Sequence, residues 1–194
     1  MYESRSFDHE DLQHIAMRQC RFVSCTFVDT DLSELATVNC RFIDCSFTGA
    51  RLGASQHRGT DFSNSNFAFA QLVGSVFTDC KLIGADLSLA NLAAIVLHNC
   101  DASMVSLAKQ KLVRADLRQT RFVDADLEGV DLSGADLREA DLSNVNFSQL
   151  NLTRADLRGA TITGLDPCRA RLKGAKMSIE QLFYIAAALG IDVL

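Results

Sequence analysis

Two ten-residue stretches decide the fold because the second repeats the first: QCRFVSCTFV at residues 19–28 and NCRFIDCSFT at residues 39–48. Within each stretch a phenylalanine returns after five residues, and the whole stretch returns after twenty. A helix repeats its apolar positions every three or four residues, and a half-buried strand repeats them every two. The sequence therefore predicts a solenoid built on a five-residue unit rather than an ordinary helix or strand.

A five-residue period runs along almost the whole chain. From Phe7 to Met177 nearly every fifth residue is apolar, and most of these central residues are leucine or phenylalanine. A small or apolar residue stands two positions before most of them. The frame never shifts, so the sequence predicts a repeat without inserted loops. The central residues that are neither leucine nor phenylalanine are Met17, Thr37, His57, Ala102, Ile162, Pro167 and Met177.

A twenty-residue period is nested within the five-residue one. Every twentieth residue from Leu12 to Leu172 is leucine, and phenylalanine returns at the same spacing from Phe7 to Phe67. Such columns are expected if four units close one square coil and like side chains stack on like in the next coil. At the usual strand spacing of ~4.8 Å, the coils would form a rod about 40 Å long.

The order alanine, aspartate, leucine recurs along the chain, for example at residues 115–117, 125–127, 135–137 and 155–157. These segments resemble the unit A(D/N)LXX of the pentapeptide repeat family, and the unbroken frame extends this resemblance along most of the chain. The resemblance implies an all-β fold, a right-handed quadrilateral β-helix over residues 1–177. It also implies that the central residue and the small residue two before it point inward, while the other three point outward.

The last residues leave the repeat and follow a helical pattern. Pro167 places its ring at a central position where the repeat fades, and residues 178–194 then form a separate segment. Ser178 and Gln181 have the spacing of a capping box, and Gly190 suits a helix C-terminus. The apolar face of this helix would either cover the last coil of its own chain or contact a second copy. It comprises Ile179, Leu182, Phe183, Ala186 and Leu189.

Residues 55–59, SQHRG, the lack of loops and the terminal helix resemble one group within the family, the mycobacterial and Qnr-like fluoroquinolone-resistance proteins. This resemblance implies a homodimer joined through the C-terminal helices. It implies DNA gyrase as the partner, bound by imitation of duplex DNA and thereby inhibited or protected from fluoroquinolones. The plasmid-borne Qnr proteins carry projecting loops, so protection that depends on loops is not expected here. The alternative function is a general protein-interaction scaffold with another partner.

The net charge limits how closely such a rod could imitate DNA. Duplex DNA carries about one negative charge per 1.7 Å, or roughly two dozen over ~40 Å, whereas the formal net charge of the chain is −5. Imitation must therefore depend on the arrangement of charges. The twenty-residue frame gives one side, around Phe7, Phe27 and Leu127, whose only basic residue is Arg5. Besides Asp8, this acidic face carries the candidate partner-binding residues Asp44, Asp86, Asp124, Asp126, Glu128 and Asp166.

The side opposite the acidic face is predicted to be basic and lies around Met17, His57 and Leu117. Its basic residues are Arg18, Arg58, Arg114, Arg118, Arg138, Arg154, Arg158 and Lys176. Its acidic residues are Glu34, Asp116, Asp136 and Asp156. The other two sides are close to balanced, so the sequence predicts a rod that is polarised across its width. The alternative is that these charges are only solvated surface.

Seven cysteines raise the question of a metal site or a disulfide. Residues 20, 25, 40 and 45 follow a C-x4-C pattern twice, at the loose limit of zinc-ligand spacing. Six of the cysteines instead occupy the small inward position of the repeat, where a thiol serves as a compact apolar filler. We therefore expect no metal, no cofactor and no structural disulfide.

His57 stands at a central position, which predicts a buried, neutral and hydrogen-bonded histidine. A filled prism offers no concave pocket for a small-molecule substrate. The sequence contains no phosphate-binding glycine motif and no nucleophile elbow. We therefore expect a binding protein and not an enzyme.

The composition points to a folded chain, because 48% of its residues are apolar and 22% are charged. It has no apolar run of membrane-spanning length, and its first residues lack the layout of a signal peptide. A cytoplasmic protein that does not enter the membrane is expected. The negative net charge makes direct nucleic-acid binding unexpected, although the basic side leaves it as a minor alternative.

Overall fold

The backbone closes one coil every twenty residues, and successive coils stack in register. The computed structural model describes residues 1–192. Strands pair in parallel, with Phe22 opposite Phe42 and Thr37 opposite His57. Single parallel bridges continue the same twenty-residue step as far as Asp156 and Lys176. The predicted β-helix and its twenty-residue coil are confirmed.

Short strands and one helix form the regular elements of the fold. They are β1 Tyr2–Glu3, β2 Ala16–Arg18, β3 Arg21–Val23, β4 Ala36–Val38, β5 Arg41–Ile43, β6 Gln56–Arg58, β7 Val76–Thr78, β8 Val96–His98 and α1 Ile179–Ala188. One sheet has the order β1-β3-β5 and the other the order β2-β4-β6-β7-β8. All the strands of the described residues lie before position 100, and single bridges join the coils beyond it.

Most corners of the square coil are tight turns. The residue two after the central one has a left-handed backbone, as at Asp124 with φ 56° and Gly49 with φ 70°. At such a corner the N–H of Ala50 donates to the carbonyl of Phe47 at 3.0 Å. This is the geometry of a type II turn, which favours glycine, asparagine or aspartate at that position. At Gly49 an added Cβ would also lie 2.1 Å from the Asp29 carboxylate, which would have to move. Glycine is therefore favoured there on two grounds.

A second kind of corner follows the strands and depends on a thiol or hydroxyl group. Each of the strands β2 to β8 is followed, two residues later, by cysteine or threonine. That side chain donates to the carbonyl of the last strand residue: Cys45 Sγ to Ile43 at 3.4 Å, and Thr60 Oγ1 to Arg58 at 3.3 Å. The sequence prediction of a purely apolar filler was therefore incomplete. The inward thiols also hydrogen-bond and shape the corner before them.

The central residues and the small residues two before them fill the interior, as predicted. Phe42 and Phe47 are fully buried. Phenylalanine rings stack from coil to coil, with 4.7 Å between the centroids of Phe22 and Phe42 and 5.0 Å between those of Phe27 and Phe47. Rings of neighbouring columns meet edge to face. Such aromatic pairs add about 0.5–1.5 kcal/mol each beyond the burial of their area.

His57 is buried in this stack with both ring nitrogens satisfied. Nδ1 lies 2.8 Å from the hydroxyl of Thr37, and Nε2 lies 2.9 Å from the hydroxyl of Ser55. Its ring packs 4.6 Å from that of Phe77. Burial lowers the pKa of His57 to about 3, because a charged imidazole would lose its hydration. The predicted buried, neutral histidine is confirmed.

On the side that carries the column from Leu12 to Leu172, the hydrogen-bonded ladder of the described residues is interrupted at Leu92. Elsewhere on this side the central leucine donates to the next coil, as Leu72 does to Asn91 at 2.9 Å. Within the described residues, neither Leu92 nor Ala94 donates to the coil of Leu112. Gln110 occupies the inward position there, and its amide donates to the carbonyls of Leu87, Ser88 and Ala90 at 2.9–3.0 Å. A long side chain in place of a small one therefore wedges two coils apart.

The C-terminal end is closed by α1. Ser178 and Gln181 form the predicted capping box. The Gln181 amide also donates to the carbonyls of Leu157 and Ala160, both at 2.7 Å, while Ile185 packs against the core. The helix thus covers the last coil of its own chain, which confirms one of the two predicted roles. No helix among residues 1–192 is long and apolar enough to cross a membrane.

Pro167 departs from the prediction that its ring sits in the core, because it is only half-buried. The carbonyl of Asp166 accepts from Arg169 at 3.1 Å and Ala170 at 3.2 Å within a tight local turn. It accepts no backbone bond from Phe147 among the described residues. The regular repeat is therefore interrupted at this corner and resumes at Arg171, which bridges Asn151.

Candidate protein-interaction surfaces

The acidic face is assembled from two kinds of position. Asp86 and Asp126 lie in one column of bridged residues, with Ser106 in the coil between them. Asp44 and Asp124 lie at left-handed corners, with φ 54° and 56°. The twenty-residue frame therefore brought these four carboxylates to one side of the rod, as predicted.

Asp124, Asp126 and Glu128 form the densest group of carboxylates on this face, which we call the acidic cluster. All three side chains are exposed. The backbone N–H of Glu128 donates to Asp126 at 3.2 Å, and the amide of Asn146 donates to Glu128 at 3.4 Å. Within residues 1–192 none of the three makes an ion pair, and neither Asp44 nor Asp86 does. The carboxylates of the cluster therefore have no ion-pair partner among the described residues.

Two other carboxylates of the acidic face are occupied. Asp166 pairs with Arg169, whose Nε lies 3.2 Å away. The sequence frame assigned Arg169 to the neighbouring side, so it missed a cation that reaches round the corner. Asp8 accepts a 2.7 Å hydrogen bond from the backbone N–H of Val28 in the next coil. Asp166 is accordingly the weakest of the six predicted partner-binding residues.

Three of the eight cations on the basic side are neutralised by neighbouring aspartates. Arg118 donates two hydrogen bonds to the Asp116 carboxylate. Its Nε lies 2.8 Å from one oxygen, and its Nη2 lies 2.7 Å from the other. Arg138 with Asp136 and Arg158 with Asp156 repeat this geometry in the next two coils. These side-chain hydrogen bonds lower the pKa of each aspartate. The ladder of arginines is thus a ladder of ion pairs.

The helix α1 presents apolar side chains to solvent on the side away from its own coil. Ile179 is 69% exposed, Leu182 54% and Phe183 52%. Leu189 is also exposed, whereas Ala186 is half-buried. Different residues of α1 therefore serve the two roles considered from the sequence, the cover over the last coil and the contact with a second copy. Gln181 and Ile185 serve the lid, and four of the five predicted dimer residues remain free for another contact.

A family model described as pentapeptide repeats matches residues 40–79, 75–109, 111–149 and 151–178, in eight copies. The chain belongs to the pentapeptide repeat family. The family match passes over residue 110, where the wedge lies. No curated protein matches the sequence.

Among solved structures, the pentapeptide repeat chain is similar to QnrB1, a plasmid-mediated fluoroquinolone resistance protein. A trypsin-treated form of QnrB1 aligns over 100% of this chain and 99% of its own, with 24% identity and a TM-score of 0.87. Full-length QnrB1 aligns over 98% and 99%, with 23% identity and the same TM-score. HetL from the cyanobacterium Nostoc covers 91% of this chain at 24% identity, with a TM-score of 0.42. The likeness to QnrB1 shows a common fold along the entire rod.

Proposed function

We propose that this pentapeptide repeat protein binds DNA gyrase through its acidic face, in place of DNA, without catalysing a reaction. The observation that carries the proposal is the acidic cluster of Asp124, Asp126 and Glu128, which is exposed and unpaired in the described part of the chain. A surface that receives the DNA backbone offers cations at close spacing. Exposed carboxylates without an ion-pair partner are suited to meet them.

The fold supports this proposal at a coarser level. QnrB1 is described as a fluoroquinolone resistance protein, and the chain has the same rod from end to end. The basic side does not favour direct nucleic-acid binding, because Arg118, Arg138 and Arg158 are engaged by aspartates. A protein partner with a cationic groove therefore suits the charge distribution better than a nucleic acid does.

We also propose that two copies join through α1. The single chain leaves more than half of the surface of Ile179, Leu182 and Phe183 exposed to solvent. Contiguous exposed apolar side chains of this kind mark protein contacts. A second helix packed on them would place two rods end to end and roughly double the length of the acidic face. Replacing Leu182 and Phe183 by glutamate should give a monomer in sedimentation velocity at high salt, with an unchanged circular dichroism spectrum.

A supercoiling assay with purified gyrase, with and without a fluoroquinolone, tests the main proposal. The test variant is Asp124→Asn, Asp126→Asn and Glu128→Gln, which removes three charges from the acidic cluster. Asparagine tolerates the left-handed backbone at position 124 and can still accept the Glu128 N–H at position 126, so this variant should fold.

The matched control is Asp61→Asn, Asp101→Asn and Asp141→Asn, which removes as many charges from another side of the rod. We expect the cluster variant to lose at least tenfold in inhibition or in drug protection, and the control to keep both. Equal losses in the two variants would show that total charge matters and not the acidic cluster. No effect of the wild-type protein on gyrase would favour a scaffold with another partner.

A further inference from the structure

The charge on one side of the rod changes sign along its length. This side, the leucine face, consists of the outward residues that flank the column from Leu12 to Leu172. Its first two coils carry Asp11, Asp31 and Glu34 and no lysine or arginine. Its last two coils carry Arg154, Arg171 and Lys173 and no aspartate or glutamate. The corner residues Glu34, Arg114 and Arg154 are shared with the neighbouring basic side. Over the whole face six basic residues stand against four acidic ones, so the net charge hides this polarity.

The cations at the C-terminal end are available to a partner. Arg154, Arg171 and Lys173 are exposed and make no ion pair in the part of the chain that the structure describes. They border a groove that glycine keeps open: a Cβ added to Gly174 would lie 3.4 Å from Cγ of Arg154. At the opposite end Asp11 and Glu34 are exposed as well, and Glu34 lies 3.1 Å from Nδ1 of His14. The two ends of the leucine face thus offer opposite charges outward.

The middle of the leucine face combines exposed apolar side chains with polar and basic ones. The polar and basic ones are Gln71, Asn91, Lys111 and Arg114. Val73 is 43% exposed and Val113 is 50% exposed, and Ala93 lies in the same column between them. At the edge of this region, Phe69 is 61% exposed and Leu89 is 57% exposed. An exposed apolar patch between charged ends has the composition of a protein interface.

We infer that the leucine face binds the leucine face of a second copy of this chain, with the two rods antiparallel. A two-fold axis perpendicular to the rods passes through the coil of Asn91. Each coil of one copy then faces the coil of the other copy that lies at the same distance on the opposite side of the axis. Asp11 then meets the partner's Arg171, and Glu34 meets the partner's Arg154. Each contact occurs twice, because an interface with two-fold symmetry is self-complementary.

Two residues that break the trend of their own half support this register. Arg51 is a cation near the acidic end, where its Nη2 lies 3.0 Å from Asp31 of its own chain. Asp131 is an acid near the basic end. In the antiparallel pair Arg51 faces the partner's Asp131. Val73 faces the partner's Val113, and no outward position on the face meets a like charge. A parallel pair would set acid against acid and base against base, so the charges specify the direction of packing.

The size of the contact predicts a weak association. A face about 40 Å long and about 12 Å wide buries roughly 1,000 Å² in total, at the lower end for specific interfaces. Exposed ion pairs are screened by salt. The pairing should therefore be strong at low ionic strength and fade as salt is added. It does not depend on gyrase, and it uses a different surface from α1.

Sedimentation velocity at pH 8 tests the inference, because histidine side chains are ordinarily uncharged there. The background is the full chain with Leu182→Glu and Phe183→Glu, which removes the α1 contact. We expect dimers at 50 mM NaCl and at least tenfold weaker association at 500 mM. Glu34→Arg or Arg154→Glu alone should weaken the dimer roughly tenfold or more, since each creates two repulsive contacts. The two reversals together should restore it to within about threefold.

The control reversal is Glu139→Arg, an exposed corner on another side, which should leave the dimer unchanged. The register is tested with a short thiol crosslinker in the same background carrying Cys168→Ser. Ala93→Cys should crosslink to itself, whereas Ser33→Cys should crosslink only when mixed with Thr153→Cys. A monomer at 50 mM NaCl, a dimer indifferent to salt, or a double reversal as weak as the single ones would overturn the inference.

Discussion

The two halves of the rod reach the same coil by different chemistry. Among the described residues, the N-terminal half, residues 1–109, contains all the strands, all the stacked aromatic pairs and six of the seven cysteines. The C-terminal half, residues 111–177, relies on central leucines and small alanines, with tight turns at most of its corners. Gln110 and the interrupted ladder lie between them.

This difference shows what the inward small residue controls. Where it is alanine, the backbone N–H turns back to the central carbonyl, as Ala135 does to Leu132 at 3.0 Å. Where it is cysteine, the thiol donates to the corner carbonyl and the corner opens into a strand. Thr120 lies between these cases, because its turn bond is 3.4 Å long and its hydroxyl donates to Arg118 at 3.5 Å. One side-chain donor therefore selects the shape of the corner before it.

The largest difference between the halves should appear in their cores. Phe42 and Leu142 occupy the same column and are both fully buried. Phe42→Ala should lower the free energy of unfolding by about 4 kcal/mol, and Leu142→Ala by about 3 kcal/mol, because the phenylalanine leaves the larger cavity. Urea unfolding followed by circular dichroism measures both values.

Because a solenoid couples mainly neighbouring coils, faster amide exchange caused by Phe42→Ala should stop before residue 111. Faster exchange throughout the chain would mean that the wedge does not separate the halves.

Acid should act on the N-terminal half through His57. Its folded pKa of about 3 lies below the ordinary value of 6.5, so the unfolded chain binds a proton that the folded chain excludes. Stability is therefore full above pH 6.5 and falls as the pH drops toward 3, by roughly 1.4 kcal/mol per pH unit. The loss between pH 7 and pH 4.5 should be about 3 kcal/mol.

His57→Leu gives this position the residue that the C-terminal half uses in the same column. Thr37 and Ser55 keep other partners in Thr60 and Ser75. The variant should therefore lose most of the pH dependence between pH 6.5 and 4.5 in urea unfolding. An unchanged slope would assign the acid sensitivity to other groups.

Removing the Gln110 side chain should let the coils of Leu92 and Leu112 pair as the other coils do. Gln110→Ala restores the residue type that the repeat favours and lets Leu92 and Ala94 donate to the coil of Leu112. We expect stabilisation on the order of 1 kcal/mol and slower amide exchange at Leu92 and Ala94. Gln71→Ala, on the surface of the same side, is the control and should change neither. Destabilisation with unchanged exchange would show that the side chain bridges a gap it does not cause.

The smallest effect should come from exchanging corner types between the halves. Cys45→Ala removes the thiol donor, so its corner should close into a turn with a bond from residue 45 to Phe42. Ala125→Cys should open the equivalent corner after Phe122. Each exchange should change stability by less than about 1 kcal/mol. Backbone chemical shifts at residues 43–45 and 123–125 report the conversion, and unchanged shifts would contradict the role assigned to the thiol.

The fold was predictable because similar apolar residues recur every twenty positions, as in the column that holds Phe42 and Leu142. This spacing gives the length of the coil. The burial of His57 followed from its place in the frame. The wedge did not follow, since Gln110 fits the frame and only its length disturbs the ladder. Arg169 was missed as a partner of Asp166 because a frame assigns side chains to faces, whereas a long arginine reaches across a corner. The acidic cluster was predictable because short side chains stay where the backbone places them.

The central claim is that the acidic cluster binds gyrase at a site that DNA also uses. Binding of the purified protein to immobilised gyrase, measured by biolayer interferometry with and without competing duplex DNA, tests it most directly. We predict competition by DNA, at least tenfold weaker binding by the Asp124→Asn, Asp126→Asn, Glu128→Gln variant, and full binding by the Asp61→Asn, Asp101→Asn, Asp141→Asn control. Binding that DNA does not displace, or that the cluster variant retains in full, would contradict the account.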